Sequence, residues 1–438
     1  MSHTLRLTIA TILSAAGIAA FSLPAVAQNA PKQVVKPPVA QGWIDVATFS
    51  GMGFGPGMMN ATLGSLMGGN ENANAKAEFG YTETGTAGRW MDVTLYTSRN
   101  TSLAEALQAV PAATQLAPTL KLQTPEKPKP APPVQGDEET TEWNYEPPKG
   151  KLVMYWGCSE TVRPGQPKVV DLSTATLGEL SKFFESRRAT QRGAHATFGR
   201  PVWPSKDDKR ALPAAASIAG QHVFTGDGVP QSFNFTIPAA QDLMPEIQVR
   251  QQKTANALQL SWNAIPHARG YFLGSMGALP DGEEGFMIWT SSELPESGFG
   301  LFDYQTNKAV DGWLKEKVLL APTVTSCAVP NAAAGQGMLR AIAYGSELNL
   351  AHPPRPTDPK IAWEPDWNLK IRVKSMSTTM LGMEGAMPGA GDMGGDADTA
   401  NAPAATDDAA GTPPAEEPKK KKFNPFDVVK DVVKDKLP

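Results

Sequence analysis

Few residues in this sequence stand at spacings that could do chemistry. Cys158 and Cys327 are its two cysteines. In an oxidising compartment they can form one disulfide; otherwise they are two buried thiols, and no local signature supplies the base a nucleophilic cysteine needs. Trp363 and Trp367, flanked by Glu364 and Asp366, are the pair best suited to stack on a sugar ring, with shielding of a sheet edge as the plain alternative. Met376, Met380, Met383, Met387 and Met393, with Met52, Met58, Met59 and Met67 far upstream, offer thioethers that suit Cu(I). A Gly/Met linker with no neighbouring His or Cys explains the same residues.

Other constellations carry less. Asp281-Gly282-Glu283-Glu284-Gly285 after Pro280 has hairpin-turn composition rather than that of an acid–base pair. The glycines at 51, 53, 55 and 57 fall short of a GxGxxG loop because Pro56 takes the place of the last one. His195, His222, His267 and His352 are scattered singly. Lys182, Arg187, Arg188, Arg192 and Arg200 form a basic set that reads as a solvated helix face, or as a contact for an acidic polymer or lipid headgroup. The expectation is a protein without catalytic residues, cofactor or metal.

The elements that would hold these residues come from composition and periodicity. The chain has 438 residues, a formal charge of −4, 40 Gly and 39 Pro. That length suits two or three domains, the Gly and Pro demand many turns, and the near balance of charge argues against a nucleic-acid partner. Residues 1–27 have the parts of a secretory signal: Arg6, an apolar stretch from Leu7 to Leu23, and Ala25-Val26-Ala27 before a cleavage expected ahead of Gln28. Export to the periplasm, the cell envelope or beyond follows.

The mature chain reads as mainly β, with two β-sandwich-like domains and a few short helices. The first spans 41–240, split by a Pro-rich insertion at 123–149. Alternation predicts strands at 75–84 and 89–97, and Ser102-Leu103-Ala104-Glu105 predicts a capped helix running to Val110. The apolar run 151–157 predicts a strand buried on both faces, 177–191 a helix, and 221–224 and 231–237 further strands.

From residue 247 short strands follow one another with turns between them. The segment Leu258-Gln259-Leu260-Ser261-Trp262, then Pro266, Gly270 and Tyr271, resembles the second-to-third strand region of fibronectin type III-like modules of exported bacterial proteins. Leu339–Gly345 looks like the penultimate strand of such a module and Trp367–Lys374 like its last. The resemblance covers about residues 245–375 and implies an antiparallel sandwich serving as a spacer or a binding surface.

After it, 376–418 has the composition of a disordered Gly/Met and Ala/Pro linker. Four lysines, 419–422, then precede a short amphipathic helix with Phe426, Val429 and Val433 on its apolar stripe, a docking element for an envelope protein or membrane surface. Together these features predict an exported, non-catalytic interaction or scaffolding protein of the cell envelope. A carbohydrate-binding or carbohydrate-active protein, or a Met-rich copper binder, is the alternative.

Overall fold

The computed structural model describes residues 33–52, 79–127, 149–279 and 283–382. The signal segment, the docking helix and Met58, Met59, Met67, Met383, Met387 and Met393 lie outside them. The chain is mainly β, and period-two alternation decides which side of each strand is dry. In β1 (Ala40–Gly51), Gly42, Ile44 and Val46 point to one face and Gln41, Trp43 and Asp45 to the other.

Among the described residues fourteen strands form one sheet. From one edge it runs β6 (Lys168–Asp171), β5 (Lys151–Trp156), β13 (Gly285–Thr290), β12 (Gly270–Ala278), β15 (Gly337–Tyr344), β17 (Trp367–Leu381) and β1. It continues through β2 (Gly88–Thr97), β7 (Val202–Trp203), β4 (Thr119–Gln123), β3 (Glu105–Ala109) and β8 (Gly220–Gly226) to β9 (Asn234–Ile237). A further strand, β16 (Leu348–His352), pairs with the first part of β17. The second sheet holds β10 (Arg250–Lys253), β11 (Ala257–Ser261) and β14 (Ser326–Pro330).

Two layers close over the central strands from the same side. The small sheet lays Leu258, Leu260 and Val329 in one core with Leu273, Leu339 and Ala341, and Trp262 meets Tyr271 edge-on at 5.6 Å. From the far end of the large sheet, Phe224, Phe233 and Phe235 fold back onto Leu369 and Trp367 in that same core. Gly42 permits this approach, since a Cβ there would stand 2.8 Å from Leu369 and 3.1 Å from Phe233. Burial of each such large apolar side chain contributes about 1.5–3 kcal/mol.

Hydrogen bonding does not follow the expected division near residue 240. β5 and β6, from the first half of the chain, pair alongside β13, and β1 runs parallel to β17 over their shared length. Cys158 and Cys327 are bonded, which ties the turn after β5 to β14 of the small sheet.

The linker expected from residue 376 does not begin there, because Met376–Leu381 complete β17 and pair with β15, with Met376 and Leu381 buried. Three further local expectations are corrected. Glu105–Ala109 is a strand rather than a helix: Ala106 and Gln108 turn inward, and pairing with both β4 and β8 outweighs a local cap. Tyr81–Thr84 is a single helical turn, α1, rather than the end of a strand. The helix expected over 177–191 stops as α2 (Leu177–Phe183). Beyond it the backbone is taken by other partners: Arg187 N–H donates to Glu296, and Ala189 N–H to Gln305 Oε1 at 2.7 Å. The basic set is therefore not one helix face. Arg187 pairs with Glu296 and Glu316, and Arg188 with Asp303, across from α3 (Asn307–Lys315) and the loop before it.

Candidate functional site

The face of the central strands turned away from this core carries a second apolar cluster at one end, with Phe49, Trp90, Phe272, Tyr344 and Met376, and is polar at the other, where the register orders its side chains in rows. Ala351, Asn368, Gln41 and Tyr96 form the first row across β16, β17, β1 and β2. Asn349, Lys370, Trp43 and Thr94 form the second, and Arg372, Asp45 and Asp92 the third. Opposite residues on one face lie close enough to act together.

Over the first two rows lies an open groove of about 230 Å³ lined by Trp43 and Trp363 together with Gln41, Asn349, Asn368 and Lys370. Trp363 reaches it from the loop between β16 and β17. Its N–H donates to Val34 O at 2.9 Å, its carbonyl accepts from Lys36 N–H at 2.9 Å, and its Nε1–H donates to Pro353 O at 3.0 Å. The Arg355 guanidinium sits 5.5 Å above its ring and is itself anchored on Gln33 Oε1 at 2.6 Å. Trp43 is steadied by the edge of His195 at 5.0 Å and by Arg200 at 5.9 Å. Both indoles are half-buried and held before any ligand arrives.

The floor divides into engaged and free groups. Lys370 Nζ donates to Gln191 Oε1 and lies 3.9 Å from Glu347; burial lowers its pKa against the pull of that carboxylate. Asn349 donates to Glu347 Oε1 at 2.7 Å. The amides of Gln41 and Asn368 make no side-chain hydrogen bond among the described residues, so each offers a donor and an acceptor to the groove. The chain matches no family model, no curated protein and no solved structure.

Behind the groove the third row is a closed charge cluster. Arg372 donates to both oxygens of Asp45 at 2.6 Å, and its Nη1 donates to Gln191 O at 2.8 Å. Burial works against the guanidinium charge, but the Asp45 bonds prevail and raise its pKa. Asp45 also accepts from Ala194 N–H at 2.8 Å. Gly193 lies flat on this pair, where any Cβ would overlap both charged groups. One row further on, Lys374 is 3.4 Å from Glu83 and 3.6 Å from Asp303, and its ammonium sits 4.1 Å over the Tyr304 ring. Tyr304 Oη donates to Val46 O at 3.0 Å. The cluster thus fastens residues 191–195 and 303–304 across the sheet, one row beyond the groove.

Asp92 is the exception in that row. It lies opposite Asp45, whose charge Arg372 already satisfies, and it accepts from Thr82 N–H at 2.8 Å, Thr82 Oγ1 at 2.5 Å and Gly80 N–H at 3.2 Å. Burial pushes its carboxyl up to about 7, opposed by the Thr82 bonds and helped by the Asp45 charge. The bonds to Asp92 hold α1 against β2.

The residues singled out from sequence are not brought together. Trp367 is 5% exposed and lies in the core, stacked at 4.7 Å on Phe233 and 5.9 Å on His352, with Nε1–H donating to Ser232 O at 2.8 Å. A stacking platform built from Trp363 and Trp367 is therefore corrected: Trp363 lines the groove, and the second tryptophan that lines it is Trp43. Met376 is buried, and its sulfur accepts from Arg340 Nη2 at 3.5 Å, so it is not free for a metal. Met52 and Met380 are half-buried or exposed at the ends of β1 and β17. Sequence reasoning missed Gln41, Trp43, Asn368 and Lys370. The signal was present, since Gln41-Trp43-Asp45 and Asn368-Lys370-Arg372-Lys374 are unbroken polar alternations against Ile and Val.

Proposed function

We propose that the protein is an exported, non-catalytic interaction protein of the cell envelope, and that it holds a polysaccharide in the groove lined by Trp43 and Trp363. The observation that carries this reading is the pairing of two pre-positioned indoles with two unengaged amides in one open trough. Indole faces present flat apolar surface to the C–H faces of sugar rings, and amides match ring hydroxyls as donor and acceptor together. The ten lining residues include no carboxylate, hydroxyl or thiol. Glycoside hydrolysis commonly uses two carboxylates flanking the scissile bond, so the lining suits binding rather than cleavage.

Strand order supports the sandwich part of the reading. The second strand of the fibronectin type III-like segment, β11, lies in the small sheet, while the third, penultimate and last, β12, β15 and β17, are neighbours in the large one. The decisive experiment is co-sedimentation of the full chain with peptidoglycan sacculi, beside gel retardation in soluble polysaccharides. Trp43→Ala and Trp363→Ala should each weaken retention tenfold or more, the equivalent of the roughly 1.5–3 kcal/mol gained by burying an aromatic side chain. Absence of retention for the unaltered protein in every matrix would sink the reading.

A further inference from the structure

We propose that Arg340 anchors a second binding site, a small apolar pocket that takes a carboxylate carrying an apolar chain. Arg340 lies on β15, between Gly274 of β12 and Thr378 of β17. Its Nε is closed to solvent and has no hydrogen-bond partner among the described residues. What it does touch is weak: the Met376 sulfur at 3.5 Å and the face of Phe302, 4.5 Å from the ring centre. A guanidinium carries five N–H donors in a fork that matches a carboxylate, and leaving a donor of that fork shut from water without a partner is costly.

The contrast within the same sheet is informative. Arg372 and Lys374 are buried and each has its carboxylates, whereas Arg340 is only half-buried and has none among the described residues. For Arg340, burial lowers the pKa to about 10 and no acidic group among the described residues acts to restore it, so the group stays cationic at neutral pH without a countercharge among them. A space of about 70 Å³ opens beside it, walled mainly by Met276, Ile288, Phe299, Phe302 and Met338; Ser275, Thr290 and Ser297 also line it, the last two with hydroxyls already donating to backbone carbonyls. Phe299 is 44% exposed at its rim. The volume admits a carboxylate and the first carbons of its chain, and the half-exposed methionines and phenylalanines continue the apolar surface outward. Inorganic phosphate would answer the charge but not the walls, and a neutral lipid the walls but not the charge. The pocket shares no residue with the Trp43–Trp363 groove, so either site can fail without the other.

The test is titration of the full chain with sodium octanoate by calorimetry and by thermal shift, with acetate and 1-octanol as partial ligands. Octanoate should bind one per chain and raise Tm, with acetate and octanol at least tenfold weaker. Arg340→Met should lose octanoate binding at least tenfold. Arg340→Lys, which keeps charge but not the fork, and Phe299→Ala, altered at an exposed rim, should each weaken it several-fold; these two decide the matter if Arg340→Met does not fold. The proposal is overturned if octanoate leaves the unaltered protein untouched, if octanol binds as tightly as octanoate, or if the variants bind it as the unaltered protein does.

Discussion

Raising the pH from 4 to 8 should destabilise this protein through one side chain, Asp92, and replacing it by Asn should remove that part of the dependence. Its carboxyl is pushed up from the ordinary 3.8 to about 7. In the unfolded chain it ionises near its ordinary value, whereas in the folded chain it keeps its proton until near neutrality. The folded state therefore binds the extra proton between the two values, and stability is lost as pH rises through that window. The favourable contribution is fully present below about pH 4 and gone above about pH 7. Roughly three units at 1.36 kcal/mol each give about 4 kcal/mol. The assay is urea unfolding followed by tryptophan fluorescence at pH 4, 5.5, 7 and 8.5, on the unaltered protein and Asp92→Asn, with the disulfide intact. Subtracting the two stabilities cancels every other titrating group. The difference should move by several kcal/mol against the unaltered protein between pH 4 and 8 and then level off. A difference that stays flat across the series, or rises with pH, would refute the assignment of burial as the dominant cause.

Arg372→Met leaves Asp45 buried without its cation and should cost about 3–5 kcal/mol in chemical denaturation, while Arg372→Met with Asp45→Leu should recover much of it. Replacing both cysteines by Ser opens a connection spanning 169 residues. On the chain-entropy account this should lower stability by about 5 kcal/mol, read as a fall in urea midpoint that a reductant reproduces in the unaltered protein and not in the variant.

The mainly β class was legible because alternation is a local property, and so were β2, β5 and β8. Helix against strand at 105–109 was not, because the deciding pairings come from 119–123 and 220–226 and cannot be seen from a capping box. α2 ends early for the same reason: Glu296 and Gln305 claim donors that a continuing helix would have used. At the site, Trp363 was legible as an aromatic without an assigned core position, but its partner was not. Trp367 is only four residues away and looked like a companion, yet Asp366 and Trp367 bracket the point where the loop enters β17 and the chain turns inward. Trp43 is about 320 residues upstream and meets the groove only because β1 lies in parallel register with β17. Sequence distance conceals that kind of neighbour.

The parallel pairing of β1 with β17 also sets the order in which the molecule can be made. Asp45 and Arg372 are 327 residues apart. The middle of the large sheet therefore has to wait for the last described strand. Until then β1 has β2 on one side and an open row of backbone donors and acceptors on the other, a surface prone to wrong partners. Such a topology folds slowly, because the loop entropy falls due before the contacts form. A ribosome releasing the chain from its N-terminus would hand over an incomplete sheet for most of synthesis. Closure of the large sheet is thus a late event, with the Cys158–Cys327 bond locking the layers once both ends are in place.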